Sequence, residues 1–272
     1  MNAICREDLK ACASALDAVR VQRPKVHCIT NSVVQNFTAN MLLAFGAIPS
    51  MTINPLEIAD FVGGADALLL NLGTVDKDRE AAIPIAMQAA DERHLPIVLD
   101  PVFIDRSPGR AAYAGTLMTH GPTIVRANRS EWETLFSHRP DVPAAGGFET
   151  RLLATLSGTP EPGPNGGSVA VVTGSQDLVV GAGKSVSFAG GHPWMAMVTG
   201  VGCGQAAIMG ALAACSTSPF HAALAGLLVF GLCGERAANV ARGPGSFEPA
   251  LLDALHDVTG ADIEGMGHHL WE

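Results

Sequence analysis

A run of small residues, Val198-Thr199-Gly200-Val201-Gly202-Cys203-Gly204-Gln205, opens directly into an apolar helical pattern at 206–215. The first N–H groups of a helix lack partners within it, and the aligned peptide dipoles favour an anion there. The run could therefore cradle a phosphate, although its glycines would equally suit a turn that lets a helix pack closely. Cys203 favours the phosphate interpretation, because a thiol in the first turn of a helix sits where its anionic form is stabilised.

Two carboxylates and an arginine follow predicted strands. Asp100 comes after the apolar run 96–99, at the strand end where ligands bind in open α/β sheets, although Asp is also a common turn cap. Glu131 closes Asn128-Arg129-Ser130-Glu131, which repeats this geometry but is also an ordinary capping box. Arg126, on the strand before it, could bind a phosphate bidentately or remain an exposed strand-end charge.

Three other positions carry weaker signals. Asn31 follows the run 25–30, where it could simply cap the next helix. Met51 ends the following run, and a methionine there is more typical of a core than of a ligand contact. His27 lies within a predicted strand and is expected to be a packed side chain.

Two nucleotide-binding motifs are excluded. Gly183-Lys184-Ser185 resembles the end of a Walker loop, but the first glycine of that motif would fall on Leu178, and a strand follows instead of a helix. Neither Gly181-Ala182-Gly183 nor Gly200-Val201-Gly202 has the third glycine of a dinucleotide-binding turn at the required spacing. A Rossmann dehydrogenase is therefore not expected.

The elements that must position these residues alternate along the chain. Apolar runs predict parallel strands covered on both faces, with helices between them such as 33–45 and 79–93. Two short strands around Gly181-Ala182-Gly183 predict an antiparallel hairpin, and 158–167 is rich in Pro and Gly, which indicates a surface loop. The expected architecture is an α/β fold with a mainly parallel sheet flanked by helices. The predicted strands are 25–30, 48–52, 67–72, 96–99, 123–125 and 169–173.

Composition indicates one well-filled globular domain over 1–272. The chain is 48% hydrophobic and 16% charged, with a net charge of −9, which excludes a disordered protein and a nucleic-acid scaffold. Its six cysteines include no C-x-x-C pair, so they are expected to be free thiols of a cytoplasmic protein. The N-terminus has charged residues in place of the apolar core of a signal peptide, so no export is expected.

The stretch between Lys184 and Glu235 contains no Asp, Glu, Lys or Arg, which raises the alternative of a membrane hairpin. Crossing a bilayer takes about 20 mainly apolar residues in one helix. The apolar pieces 206–215 and 222–233 are shorter, and a Ser-Thr-Ser-Pro turn separates them. They are predicted to be buried core helices, and no membrane is expected as a partner.

Taken together, these segments resemble the hydroxyethylthiazole kinases of thiamine salvage, which have a ribokinase-like fold. The resemblance runs from about Val26 to Leu255. The motifs that carry it are Val26-His27-Cys28-Ile29-Thr30-Asn31, Asn36-Phe37-Thr38-Ala39-Asn40, Asn71-Leu72-Gly73-Thr74, Leu99-Asp100-Pro101-Val102, Val172-Thr173-Gly174, Val198-Thr199-Gly200-Val201-Gly202-Cys203 and Gly243-Pro244-Gly245-Ser246-Phe247.

The resemblance implies phosphoryl transfer from ATP, with Mg²⁺, to the primary hydroxyl of 4-methyl-5-(2-hydroxyethyl)thiazole, in a homotrimer with active sites between subunits. It also implies a role for each site residue. The substrate would contact Met51, Asn31 and Gly200, and ATP would contact Arg126, Thr173, Thr199 and Gly202. Mg²⁺ would lie near Asp100 and Glu131. Cys203 would take the place of the aspartate that activates the acceptor hydroxyl in ribokinase relatives.

One segment departs from the family pattern. Asp100-Pro101-Val102 is followed in the family by small, glycine-rich residues, whereas this chain continues Phe103-Ile104-Asp105-Arg106-Ser107. We expect this 103–107 loop to narrow the choice of acceptor. Two alternatives therefore stay open, namely a ribokinase-like kinase for another small heterocyclic or sugar alcohol, and a non-catalytic ligand-binding relative.

Overall fold

A computed structural model describes residues 3–139, 142, 145–157 and 167–266. Within them, eight strands form one sheet in the order β2-β1-β3-β4-β5-β6-β7-β8. Neighbours from β2 to β6 are parallel, and β6, β7 and β8 pair antiparallel, which confirms the mainly parallel sheet and its hairpin. The strands are β1 Lys25–Ile29, β2 Ile48–Ser50, β3 Ala67–Asn71, β4 Ile97–Asp100, β5 Ile124–Asn128, β6 Val169–Thr173, β7 Asp177–Gly181 and β8 Lys184–Phe188.

Helices connect the strands and cover both faces of the sheet. They are α1 Arg6–Gln22, α2 Gln35–Phe45, α3 Ile58–Gly63, α4 Lys77–Glu92, α5 Pro108–Met118, α6 Arg129–Ser137, α7 Phe148–Ser157, α8 Val201–Cys215, α9 Pro219–Val240, α10 Pro244–Asp257 and α11 Gly260–Gly265. The predicted helix 33–45 begins two residues later than expected, because residues 32–34 form a turn. It ends as predicted at Gly46, whose φ of +101° suits glycine. All but the last residue of the loop predicted at 158–167 lies outside the described residues.

Side chains of the strands enter two separate cores. Val26, Leu69 and Val98 point to one face, where they pack with residues of α1, α2, α8 and α9. Leu68 and Leu99 point to the other face, against α4, α5 and α6. Burial on both faces explains why the strands read as continuous apolar runs in the sequence.

Helix α9 is longer than the apolar piece predicted at 222–233. It has 22 residues, so the expectation that its apolar piece is too short to span a bilayer is wrong. Among the described residues it is the one helix long and apolar enough to span a bilayer. However, 67% of its most apolar stretch of 18 residues is buried inside the protein. Its lack of charge up to Glu235 follows from that packing, because a charge placed in this core would have to give up its hydration.

Candidate active site

Polar residues at the ends of five strands lie along the carboxyl edge of the sheet. Asn71 and Asp100 are register partners at the ends of β3 and β4, and Asn128 and Thr173 are partners at the ends of β5 and β6. Asn31 follows β1 and joins this group. The N-terminus of α8 approaches the same edge, so the glycine-rich run and the strand ends predicted from the sequence form one cluster.

A chain of buried hydrogen bonds links three of these strand ends to α8. Asn71 Nδ2 donates to Asp100 Oδ2 at 2.6 Å, and Asn31 Nδ2 donates to Asn71 Oδ1 at 3.1 Å. Asn31 Nδ2 also lies 3.5 Å from the sulfur of Cys203, as a hydrogen-bond donor to it. The sequence predicts no role for Asn71, because this residue lies inside the apolar run 67–72, whereas Asp100 directly follows the run 96–99.

Asp100 is fully buried, and among the described residues its Oδ1 has no hydrogen-bond partner. Burial raises the pKa of Asp100 to about 7, against the opposing effect of Arg126, whose Nη1 lies 3.6 Å from Oδ1. A buried carboxylate oxygen with no hydrogen-bond partner, and with its one ion-pair neighbour at 3.6 Å, is a group that a bound cation would satisfy.

The donor set suits Mg²⁺ better than a structural metal. The part of the chain that the structure describes holds no cluster of three or more His, Cys, Asp or Glu side chains placed to bind a metal ion. Mg²⁺ is usually held by one or two carboxylates together with waters and substrate phosphates, which is what Asp100 and Glu131 could provide.

Arg126 is held against the start of α8 and is not an exposed strand-end charge. Its Nε donates to Gln205 Oε1 at 3.1 Å, and its side chain is 15% exposed. A Cβ atom at Gly202 would lie 2.8 Å from Arg126 Nη2, so only a glycine at 202 lets the guanidinium approach the backbone so closely. The arginine therefore lies beside the first turn of α8.

The glycine-rich run forms the turn that starts α8. Gly200 has a φ of +97°, and a Cβ atom there would lie 2.9 Å from Val34 Cγ1, so glycine is required on both counts. Gly204 N donates to Gly200 O at 2.8 Å, which begins the helical hydrogen bonding. The N–H groups before it, with Arg126 alongside, make a cationic cradle suited to a phosphate.

Cys203 lies in this first turn, but the expected preference for its anionic form is wrong. Burial raises the pKa of the thiol to about 11, and the nearby charge of Asp100 acts in the same direction. Burial and the neighbouring carboxylate both favour the neutral form, so the thiol is protonated at neutral pH.

Glu131 forms the predicted capping box and one further contact. Its Oε2 accepts from Asn128 N at 2.8 Å, while Asn128 Oδ1 accepts from Glu131 N at 3.0 Å. Its Oε1 accepts from Phe103 N at 2.9 Å. Burial raises the pKa of Glu131. This carboxylate therefore ties the 103–107 loop to the start of α6.

The 103–107 loop is a short 3-10 turn packed on the beginning of α6. Phe103 adopts a φ of +58° and is 55% exposed, whereas Ile104 is buried. Asp105 Oδ2 accepts from Ser130 Oγ at 3.0 Å. These contacts place the loop beside Glu131, on the β5 side of the site.

His27 positions the segment that carries Met51. Its Nε2 lies 3.0 Å from the carbonyl of Thr52, which can only accept, so Nε2 carries the hydrogen and Nδ1 accepts from Ser50 Oγ at 2.8 Å. Burial lowers the pKa of His27, in keeping with this neutral form. Met51 is half-buried against the core between these two anchors. The remaining candidate, Thr199, is exposed just before Gly200.

The sequence and the structure both match known kinases. Residues 16–261 match the model of the hydroxyethylthiazole kinase family. The chain is 42% identical over 246 residues to the hydroxyethylthiazole kinase of Granulibacter bethesdensis, covering 90% of this chain and 89% of that protein.

Two solved structures resemble the fold. The hydroxyethylthiazole kinase protein of Pyrococcus horikoshii OT3 has a TM-score of 0.81 and 33% identity, over 92% of this chain and 94% of that one. A ribokinase-like superfamily protein of Enterococcus faecalis has a TM-score of 0.64 over 94% and 95% of the two chains. At 14% identity the second likeness shows the fold alone, which is ribokinase-like.

Proposed function

We propose that this chain, which belongs to the hydroxyethylthiazole kinase family, transfers the γ-phosphoryl group of ATP to the primary hydroxyl of 4-methyl-5-(2-hydroxyethyl)thiazole, a step of thiamine salvage. The observation that carries the proposal is the meeting of Arg126, Asp100 and Cys203 at the first turn of α8. Phosphoryl transfer depends mainly on positioning and charge stabilisation, and this cluster offers both.

The residues of the site divide into groups according to the ligand that each would contact. The first-turn N–H groups, with Gly202 and Arg126, would hold the transferring phosphate, and Thr173 and Thr199 would contact other parts of ATP. Met51, Asn31 and Gly200 would hold the thiazole alcohol. Cys203 would lie beside its hydroxyl.

The protonated state of Cys203 limits what it contributes. A thiol with a pKa of about 11 is a weak proton acceptor at neutral pH. A loose transition state for phosphoryl transfer needs little proton removal early on, so the thiol serves mainly to orient the hydroxyl.

Asp100 and Glu131 would hold Mg²⁺. When bound, the cation supplies positive charge that offsets the charge on the phosphates. The oxygen of Asp100 that lacks a hydrogen-bond partner among the described residues supports this role.

We also propose that 1–272 forms one domain of a cytoplasmic homotrimer with sites between its subunits. The edge strand β2 supports a subunit contact, because it borders a cavity of about 360 Å³ lined by Ile48, Pro49 and Phe61 among others. Ile48 and Phe61 are 38% and 45% exposed there. Light scattering of the purified protein tests the trimer.

An ADP-release assay with the thiazole alcohol, with and without Mg²⁺, tests the reaction. We expect turnover only when both are present, and Asp100→Asn to lose it. Release of ADP with other small alcohols but not with this one would replace the proposed acceptor. Binding of ATP without any transfer would make the chain a non-catalytic relative.

A further inference from the structure

Gln205 is a polar side chain in the second turn of an otherwise apolar helix. It lies on α8, one turn after the phosphate cradle, and is 6% exposed. Its neighbours Ala206, Ala207 and Ile208 are fully buried. A buried amide costs free energy unless it is hydrogen-bonded, and the partner of Gln205 Oε1 is Arg126 Nε, 3.1 Å away and 79 residues earlier in the chain.

Three contacts restrict the guanidinium of Arg126. Gln205 accepts from Nε, Asp100 Oδ1 lies 3.6 Å from Nη1, and the missing side chain of Gly202 leaves room for Nη2. The planar guanidinium has five N–H donors in a fixed fork, so a partner at Nε sets the direction in which both Nη groups point. With Nε held by Gln205, the two Nη groups lie toward the first turn of α8.

The neutral charge of Gln205 matters as much as its acceptor oxygen. A carboxylate at 205 would also accept from Nε, but it would offset the positive charge that a phosphate requires. Arg126 Nη1 already lies 3.6 Å from Asp100 Oδ1, so without an acceptor at 205 the other donors of Arg126 would be free to turn toward that carboxylate.

We propose that Gln205 is a positioning residue, which holds the fork of Arg126 so that both Nη groups face the transferring phosphate above Gly202. This rests on the proposed kinase function, since Arg126 must contact the phosphate for Gln205 to act through it.

The test compares kcat and both KM values for Gln205→Leu, Gln205→Met and Gln205→Glu. Misplacing a catalytic group by about 1 Å costs about a hundredfold, so we expect Leu and Met to lower kcat by about ten- to a hundredfold. KM for the thiazole alcohol should stay near the wild-type value. Glu should keep the geometry but raise KM for ATP. Gln88→Leu, which changes a glutamine hydrogen-bonded to Glu92 on α4, is the matched control and should leave all constants unchanged.

A double-mutant cycle separates positioning from a general packing effect. Lysine has no Nε–H fork, so in an Arg126→Lys background Gln205→Leu should lower kcat by no more than about twofold. Losses that multiply in the double variant, or a Gln205→Leu variant with wild-type kcat, would overturn the proposal. Should the Leu variant fail to fold, as judged by its melting temperature, the Met variant, which also lacks the amide oxygen, carries the same comparison.

Binding of ATP alone, measured by calorimetry, keeps the two proposals distinguishable. We expect Gln205→Glu to weaken ATP binding even if the wild-type protein phosphorylates a different alcohol. ATP binding that is equal in wild type and Gln205→Glu would refute the requirement for a neutral residue at 205, whatever the acceptor proves to be.

Discussion

Glu131→Gln separates the structural and the catalytic role of one carboxylate. The two oxygens of Glu131 accept from Asn128 N and from Phe103 N, at 2.8 and 2.9 Å. Glutamine has one acceptor oxygen, so one of these N–H groups would face an amide NH₂ and lose its partner. Leaving a buried donor unpaired costs about 1–3 kcal/mol in free energy of unfolding. For a chain of this size we expect the melting temperature to fall by about 2–10 °C.

The loss of activity should be much larger than this loss of stability explains. If Glu131 helps to hold Mg²⁺, removing its charge should lower kcat by about a hundred- to a thousandfold, as for other preorganised electrostatic groups. The assay is ADP release at saturating ATP and alcohol, measured over a range of Mg²⁺ concentrations well below the melting temperature. Part of the lost activity should return at high Mg²⁺.

Asp262→Asn is the matched control. Asp262 closes the same kind of capping box at α11, where Oδ2 accepts from Thr259 N at 2.8 Å. It should lower the melting temperature without changing kcat. A Glu131→Gln variant that loses stability but keeps kcat within about twofold of wild type would refute the metal role and leave only the capping box.

Three further predictions concern other parts of the molecule. Cys203→Ala should lower kcat by about tenfold with KM for ATP nearly unchanged, and Cys203→Asp should keep activity; a fully active Ala variant would end the catalytic interpretation of this thiol. Grafting Gly-Ala-Gly-Ala onto positions 103–106 should change relative rates among alcohols of different size, and unchanged selectivity and turnover would show that the loop is remote from the acceptor. Burial raises the pKa of Asp8, but hydrogen bonds from Cys5, His221 and Lys184 outweigh it and hold that pKa well below its usual range. Because the folded pKa is lowered, the stabilisation is present above about pH 4 and is lost as the pH falls further. Asp8→Asn should therefore be less stable by about 1–3 kcal/mol at pH 7, and its melting temperature should depend less on pH below 4.

Local structure agrees closely with the sequence prediction where one clear pattern, such as an apolar run or a capping box, determines it. The strand 169–173 has the predicted bounds, and the capping box of Asn128 and Glu131 is present as its spacing indicated. The apolar run ending at residue 125 gave too short a strand, because β5 continues through Arg126 to Asn128 by pairing with β6. The polar residues Arg126 and Asn128 predicted an end of the strand, but their pairing with β6 extends it.

Contacts between residues far apart in the chain could not be predicted from local sequence patterns. Nothing near Arg126 identifies Gln205 as the acceptor of its Nε, and the pairing of β1 with both β2 and β3 depends on where the connecting helices pack. The pKa of Cys203 shows the same limit, because the helix dipole is visible in the sequence whereas burial beside Asp100 is not. Helix α9 extends beyond the predicted apolar piece 222–233 at both ends, because it begins at Pro219 and continues through the charged residues Glu235 and Arg236 to Val240.

The position of α8 and α9 near the end of the chain has a consequence for biosynthesis. Strand side chains such as Val26, Leu69 and Val98 share a core with these two helices, which follow the whole sheet in sequence. A nascent chain that has just released β8 from the ribosome therefore holds a complete set of strands with one apolar face largely uncovered. Exposed apolar surface of this kind makes unfinished chains prone to aggregate. The proposed phosphate site begins on α8, one of the two helices that cover this face, so a translating chain forms this site only as its core is completed.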